Sequence, residues 1–246
     1  KLGVEHAYNP PVALTADGRT AYFSRAVLEK PLTGLFSKKQ LRHKLYRADY
    51  VEGEWRNIQE VPVAPKYASA MHPAISKDGK RLFFASDMPG SFGQYDIYVA
   101  DIQRAGSLGV AKNLGQKVNT RKNELYPQLL DDQLLFFASE GHNGLGGLDL
   151  YAVQVATKRV GLAVNVGSPF NSGKDDYALR LTQEKGRAYV MSNRATQSDV
   201  VQELVFAYNT PGNSRLADNG DYRFLELRPL ENTPQYTHTI FEDQED

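Results

Sequence analysis

The repeated pattern of this sequence predicts an all-β fold, a β-propeller of four-stranded blades. Three observations indicate it: an apolar strand motif returns about every 53 residues, an Asp-Gly turn precedes it, and no helical period of convincing length is present. A unit of this length has room for four short strands, and radial four-stranded blades leave only short, protected edges. We expect five blades, with four or six as the alternatives.

Two strand motifs mark each unit. The first is the run LFFAS at residues 82–86, which returns as LFFAS at residues 135–139 and more loosely in the outer units. The second follows it in every unit, at Leu45-Tyr46, Ile97-Tyr98, Leu150-Tyr151 and Val205-Phe206. Because both motifs keep nearly the same spacing, they indicate a true repeat rather than chance similarity.

Turn residues separate the strands of a unit. Asp17-Gly18 and Asp78-Gly79 lie between strand-like runs, where glycine supplies the positive φ that a tight hairpin needs. The first unit also holds an insertion of about nine residues, within residues 26–43. We assign residues 1–217 to the propeller repeats, and residues 218–246 to a C-terminal segment that closes the last blade or leads into a following domain.

Composition excludes several classes of function. The formal net charge at pH 7 is zero, so a strongly basic footprint is absent and nucleic acid is not expected as a partner. The chain has no cysteine, and its five histidines show no metal-ligand spacing, so we predict no metal site and no cofactor. No apolar run is long enough to insert into a membrane.

The middle units carry a specific resemblance. Residues 72–87 resemble the WD-like propeller repeat of TolB and its relatives. The loops with their following strands at residues 88–98 and 137–151 make this resemblance more specific. They are similar to the propeller of OmpA-family proteins from Bacteroidetes, of the PorE type, which are associated with type IX secretion. The resemblance covers about residues 8–208. It implies a periplasmic, outer-membrane-associated protein whose partners are other periplasmic or outer-membrane secretion proteins, with peptidoglycan bound only through a domain absent from this chain.

Four aromatic residues form the first candidate surface. Tyr8, His72, Tyr126 and Tyr177 each precede the first strand of a unit, so repeat symmetry places them in a ring at one mouth of the channel. Aromatic side chains in a concave mouth are typical anchors for a binding partner. The alternative is that they pack one blade against the next.

The insertion supplies the second candidate surface, formed by Phe36, Lys38, Lys39 and Arg42. Loops on a rigid scaffold often carry function, and this basic loop could dock an acidic protein or an anionic glycan. The alternative is a solvated loop without a partner.

The sequence therefore predicts a non-enzymatic, protein-binding scaffold domain, without catalytic residues, in an envelope-anchored periplasmic component of a secretion system. One alternative is a propeller that binds a carbohydrate or peptidoglycan fragment. Another is a propeller glycosidase, for which Glu124, Asp175 and Asp176 are the candidate carboxylates. The glycine-rich loops at residues 88–96 and 141–149 do not favour phosphate binding, because a strand rather than a helix follows each of them.

Overall fold

The computed structural model describes residues 11–30, 38–182, 187–194, 200–207, 228–229 and 235–237. These residues form strands and loops, with one short 3₁₀ turn at Arg104–Gly106. No helix within them is long and apolar enough to span a membrane. The all-β prediction is confirmed.

Four antiparallel sheets follow one another along the chain, and each is one blade. Blade 1 contains β1 (Ala13–Leu14), β2 (Thr20–Glu29), β3 (Gln40–Val51) and β4 (Glu54–Glu60). Blade 2 contains β5 (Ala70–Ile75), β6 (Arg81–Ser86), β7 (Asp96–Asp101) and β8 (Lys112–Asn113). Blade 3 contains β9 (Glu124–Leu129), β10 (Leu134–Ser139), β11 (Asp149–Ala156), β12 (Arg159–Val160) and β13 (Val164–Asn165). Blade 4 contains β14 (Asp176–Thr182), β15 (Arg187–Ser192), β16 (Val200–Ala207), β17 (Arg228–Pro229) and β18 (Gln235–Thr237).

The described residues form four blades, so the expectation of five is not confirmed, whereas four was among the alternatives. Consecutive blades contact each other, but among the described strands none of blade 4 contacts blade 1. Both β17 and β18 pair with β16, so residues after 217 supply the outer strand positions of blade 4. The division of the chain at residue 217 stays a prediction.

Apolar cores lie between consecutive blades. Successive side chains of a strand point to opposite faces of its sheet. Phe84 therefore packs between blades 1 and 2, whereas Phe83 and Phe137 meet between blades 2 and 3. Phe136 packs between blades 3 and 4, and all four rings are fully buried. Alternate side chains of the repeated LFFAS motif thus pack against the blades on both sides.

Strand direction defines two ends of the propeller. All strands within a blade are antiparallel, so the loops between second and third strands lie at the same end as the crossovers to the next blade. We call this end the crossover face. The turns between first and second strands, and between third and fourth strands, lie at the opposite end, which we call the turn face.

Candidate functional site

The first strands of the blades carry a bulge near the crossover face. His72 and Tyr126 have φ values of 53°, and Ala178 has a φ of 51°. At each of these positions the pairing with the second strand loses its register, which is the mark of a β-bulge. In blade 4 the equivalent residue is thus Ala178, and Tyr177 lies one residue before it.

Three of the four predicted mouth aromatics come together in a stack. The ring centroids of His72 and Tyr126 are 3.8 Å apart with planes inclined by 16°. The rings of Tyr126 and Tyr177 follow at 5.2 Å and 30°. The three side chains come from blades 2, 3 and 4, and we call them the aromatic stack. Tyr8 lies outside the described residues.

The aromatic stack combines the two roles considered for these residues. His72 is buried, whereas Tyr126 and Tyr177 are half-buried and pack against the core between blades 3 and 4. The stack thus joins three blades and still exposes part of two tyrosine rings. Their role in binding a partner stays a prediction.

Burial keeps His72 of the aromatic stack neutral near pH 7. It lowers the pKa of His72 to about 3, with a smaller contribution from nearby His43. The Nδ1 atom of His72 accepts a hydrogen bond from the backbone N–H of Tyr126 at 3.3 Å, as the neutral ring allows. Burial also raises the pKa of Tyr177 to about 12. A partner would therefore meet apolar rings with polar tips rather than charges.

The insertion lengthens a hairpin. β2 has 10 residues and β3 has 12, whereas their counterparts β6 and β7 have 6 each. The added residues extend the β2–β3 pairing as far as Glu29 and Gln40. We call residues 25–29 and 40–44 the extended hairpin, which projects from the crossover face.

Polar contacts hold the extended hairpin against blade 2. The Nζ atom of Lys44 is buried and contacts Glu29 at 3.2 Å, the carbonyl oxygen of Ala68 at 2.9 Å, and that of Lys66. Arg42 forms an ion pair with Asp87 at 3.3 Å. Of the predicted residues in the insertion, Arg42 is thus engaged within the chain.

Lys38 and Lys39, the other described residues of this predicted surface, are exposed, and Phe36 lies outside the described residues. His43 links the extended hairpin to the segment just before β5, because its backbone N–H donates to Ser69 Oγ at 3.2 Å. The two surfaces predicted separately from the sequence therefore belong to one end of the propeller.

The glycine-rich loops are braced by aspartates. The Asp96 carboxylate accepts hydrogen bonds from the backbone N–H groups of Phe92 at 2.8 Å and Gly93 at 3.1 Å. Asp149 likewise accepts from Leu145 at 2.8 Å and Gly146 at 2.9 Å. The amides that a phosphate would need are thus already bonded. Among the described residues, no group of three His, Asp or Glu side chains is placed to hold a metal ion.

Gly146 permits a close approach between blades. A Cβ atom at this position would overlap the backbone carbonyl of Lys174, in the crossover to blade 4. We expect Gly146→Ala to lower the free energy of unfolding by about 1–3 kcal/mol, because backbone must move to make room. Gly173→Ala is the matched control, since nothing lies within 4 Å of its added Cβ. Urea unfolding followed by circular dichroism measures both, and equal stabilities would contradict this account.

The carboxylates of the glycosidase alternative brace crossovers. Glu124 is fully buried and accepts from the Thr120 amide at 2.8 Å and from the Ser139 hydroxyl at 2.7 Å. Burial nevertheless raises its pKa, against the lowering effect of these bonds. Asp176 is also fully buried and accepts from the Ser172 amide at 2.6 Å and from Arg194.

Asp175, the third of these carboxylates, accepts from the backbone N–H of Leu148 and from the Asn193 side chain, each at 2.9 Å. All three carboxylates are thus held by internal hydrogen bonds.

A cavity of about 320 Å³ lies at the turn face. Leu14, Ile75 and Leu129 line it from the ends of three first strands. They are equivalent residues, because each pairs with the second residue of the second strand in its blade. Ser76, Lys77 and Asp131 add polar groups at its edge. The sequence reasoning missed this cavity, although the aliphatic residue at the same repeat position of each unit could have indicated it.

Comparison with known proteins identifies the class of fold. No family model matches the chain. No curated protein matches it either. The tricorn protease structure superposes with a TM-score of 0.51 at 11% identity, over 92% of this chain and 22% of that one. A puromycin-hydrolyzing peptidase of Mycobacterium tuberculosis superposes with a TM-score of 0.50 at 16% identity, over 92% of this chain and 31% of that one.

TolB from Acinetobacter baumannii is also similar, with a TM-score of 0.49 at 15% identity, over 92% of this chain and 44% of that one. The chain thus spans less than half the length of each of these three proteins. At such identities the similarity concerns the β-propeller fold.

The prediction that the chain is not an enzyme is wrong as an inference from its fold. The tricorn protease and the puromycin-hydrolyzing peptidase share the fold over most of this chain, and both are named for hydrolysis. The propeller fold by itself therefore does not exclude that a chain is part of an enzyme.

Proposed function

We propose that this chain is a protein-binding propeller domain that docks its partner on the crossover face. The observation that carries the proposal is the aromatic stack, in which two tyrosine side chains stay partly exposed at that end. Tyrosine is enriched among the residues that dominate binding energy, because a rigid ring supplies a large contact area with a polar tip. Such a surface serves equally well in a scaffold and in a propeller that accompanies a hydrolase.

Exposed apolar residues lie at the same end of the propeller as this docking centre. Leu28 and Leu41 lie opposite each other on the extended hairpin. Phe92 and Leu145 occupy the corresponding loops of blades 2 and 3. Loops of three successive blades thus present apolar side chains at the same end, and clustered exposed apolar residues favour an interface with another protein.

The repeat motifs support a finer proposal about location. Their resemblance to TolB-like and PorE-type propellers favours the periplasm. We extend the proposal to an outer-membrane-associated secretion assembly of the type IX kind, whose other members would supply the partner. This extension rests on the motifs at residues 72–87 and 137–151.

A pull-down with paired variants tests the docking centre. We expect immobilised wild-type domain to retain a protein from periplasmic extract, and the double variant Tyr126→Ala/Tyr177→Ala to retain at least about tenfold less, as for central interface aromatics. The control is Tyr50→Ala/Trp55→Ala, which removes a pair of aromatic rings in tilted contact from the outer strands of blade 1. Circular dichroism checks that all three baits are folded. Equal retention by both variants, or none by folded wild type, would contradict the proposal.

A further inference from the structure

The crossover face carries an uneven distribution of charge that the zero net charge of the chain conceals. We consider the described loops and crossovers at this end: residues 30, 38–39, 61–69, 87–95, 114–123, 140–148, 166–175 and 193–194. Every exposed charged residue within them is basic. We call six of these the basic rim: Lys38, Lys39, Lys66, Arg121, Lys122 and Lys174.

The acids of the same segments are only partly exposed and hold internal contacts. Asp87 pairs with Arg42 at 3.3 Å. Glu140 accepts from the side chain of Asn123 at 3.0 Å. Asp175 accepts from Asn193 at 2.9 Å. Glu60, the last residue of β4, is an exposed acid beside these segments. The basic rim outnumbers it and therefore dominates the potential above the described loops and crossovers.

The turn face differs, since its exposed charges are of both signs. Asp17 and Asp78 lie beside Arg19 and Lys80 in the turns between first and second strands. Mixed charges cancel over short distances, so this face generates a weaker field. The difference between the two ends gives a charged partner a preferred direction of approach.

We infer that the partner bound at the crossover face is a protein segment that is acidic and carries apolar anchors. This inference rests on the proposed function and names the chemistry of its partner. Acidic side chains complement the basic rim and would steer the segment toward this end. Apolar anchors complement Leu28, Leu41, Phe92 and Leu145, and the aromatic stack lies at the same end of the propeller.

A protein segment fits these features better than an anionic glycan or a lipid surface does. A glycan would use the basic rim but would leave the exposed leucine and phenylalanine side chains in water. A lipid surface would cover the projecting loops, but it would not reach the half-buried rings of Tyr126 and Tyr177 at the ends of the first strands. A flexible segment can contact loops and rings together.

The test is a selection of random peptides displayed on phage against the immobilised domain. Four baits are compared: wild type, the mouth variant Tyr126→Ala/Tyr177→Ala, and two charge-reversal variants. The rim variant is Lys38→Glu/Lys39→Glu/Arg121→Glu/Lys122→Glu. The control variant is Arg19→Glu/Lys77→Glu/Lys80→Glu/Lys158→Glu, which reverses as many exposed charges at the turn face. Vesicles of phosphatidylcholine with and without phosphatidylglycerol serve as the lipid probe.

We expect wild type to enrich peptides of net negative charge with leucine or aromatic residues. Affinity for a synthesised copy should fall at least about tenfold in the rim variant, remain in the control variant, and weaken as salt is added. Suppose that the enriched peptides depend on Tyr126 and Tyr177 but are neutral or basic, or bind the rim variant as well as wild type. This result would overturn the inference and leave the proposed function standing. Rim-dependent binding of anionic vesicles without acidic peptides would also overturn it. If no peptide depends on the mouth, the proposed function itself fails.

Discussion

Replacing Phe137 by alanine should lower the free energy of unfolding by about 3–5 kcal/mol, the usual cost of removing a fully buried phenyl ring. The ring of Phe137 lies between blades 2 and 3, stacked on Tyr151 with centroids 5.9 Å apart. None of its surface is exposed, so the removed ring leaves a cavity that two sheets would have to close together. The loss of this one side chain therefore weakens the packing of both blades.

The control for this experiment is Phe92→Ala, on the loop between β6 and β7. Phe92 is 44% exposed, so its removal should change the free energy of unfolding by well under 1 kcal/mol, as for most surface substitutions. Urea unfolding is best followed by circular dichroism, which reports on all blades. The fluorescence of Trp55, the single tryptophan, reports on blade 1 alone. Similar losses in the two variants would show that the cores between blades do not hold the fold together.

The strands of the middle blades were predictable because local pattern and repeat agree there. The motif at residues 82–86 lies within β6 (Arg81–Ser86), and the one at residues 135–139 lies within β10 (Leu134–Ser139). A strand covered on both faces reads as a continuous apolar run, which no exposed strand would tolerate. The sequence therefore carries the information about these strands within short segments.

The number of blades and the form of the insertion were less predictable. Blade number depends on the angle between neighbouring sheets, which the side chains of two sheets set together and which no single repeat encodes. The insertion contains residues compatible with either a loop or a strand. The hairpin is stabilised by two contacts: Lys44 donates to the carbonyl oxygen of Ala68 in the crossover to blade 2, and Arg42 forms an ion pair with Asp87.

The site was predictable in part. Repeat symmetry brought His72 and Tyr126 to equivalent positions, which the structure places in contact. The same symmetry fails at Tyr177, because the bulge in β14 falls on Ala178. The basic rim could not be predicted from the sequence. Only the blade topology shows that Lys38, Arg121 and Lys174 lie at the same end of the propeller.

Acid should destabilise the protein through His72. Its pKa is about 3 in the folded protein, against an ordinary value of 6.5, because the ring is buried. A histidine whose folded pKa is lowered contributes stability above its unfolded pKa and loses it as pH falls toward the folded value. The free energy of unfolding should therefore fall by about 1.4 kcal/mol per pH unit below about pH 6.5, up to roughly 5 kcal/mol near pH 3.

The substitution His72→Asn isolates this effect. Asparagine tolerates the φ of 53° at this position better than most residues, and its side-chain oxygen can accept the backbone N–H of Tyr126. The variant should be less stable than wild type at pH 7, because it loses the stacked ring, and the difference should shrink steadily as pH is lowered. Glu124 and the other acid-titrating groups remain in both proteins, so their contributions cancel in the comparison. Parallel stability curves for the two proteins between pH 7 and pH 4 would mean that His72 does not stay neutral in the folded protein, and that its surroundings admit charge and water.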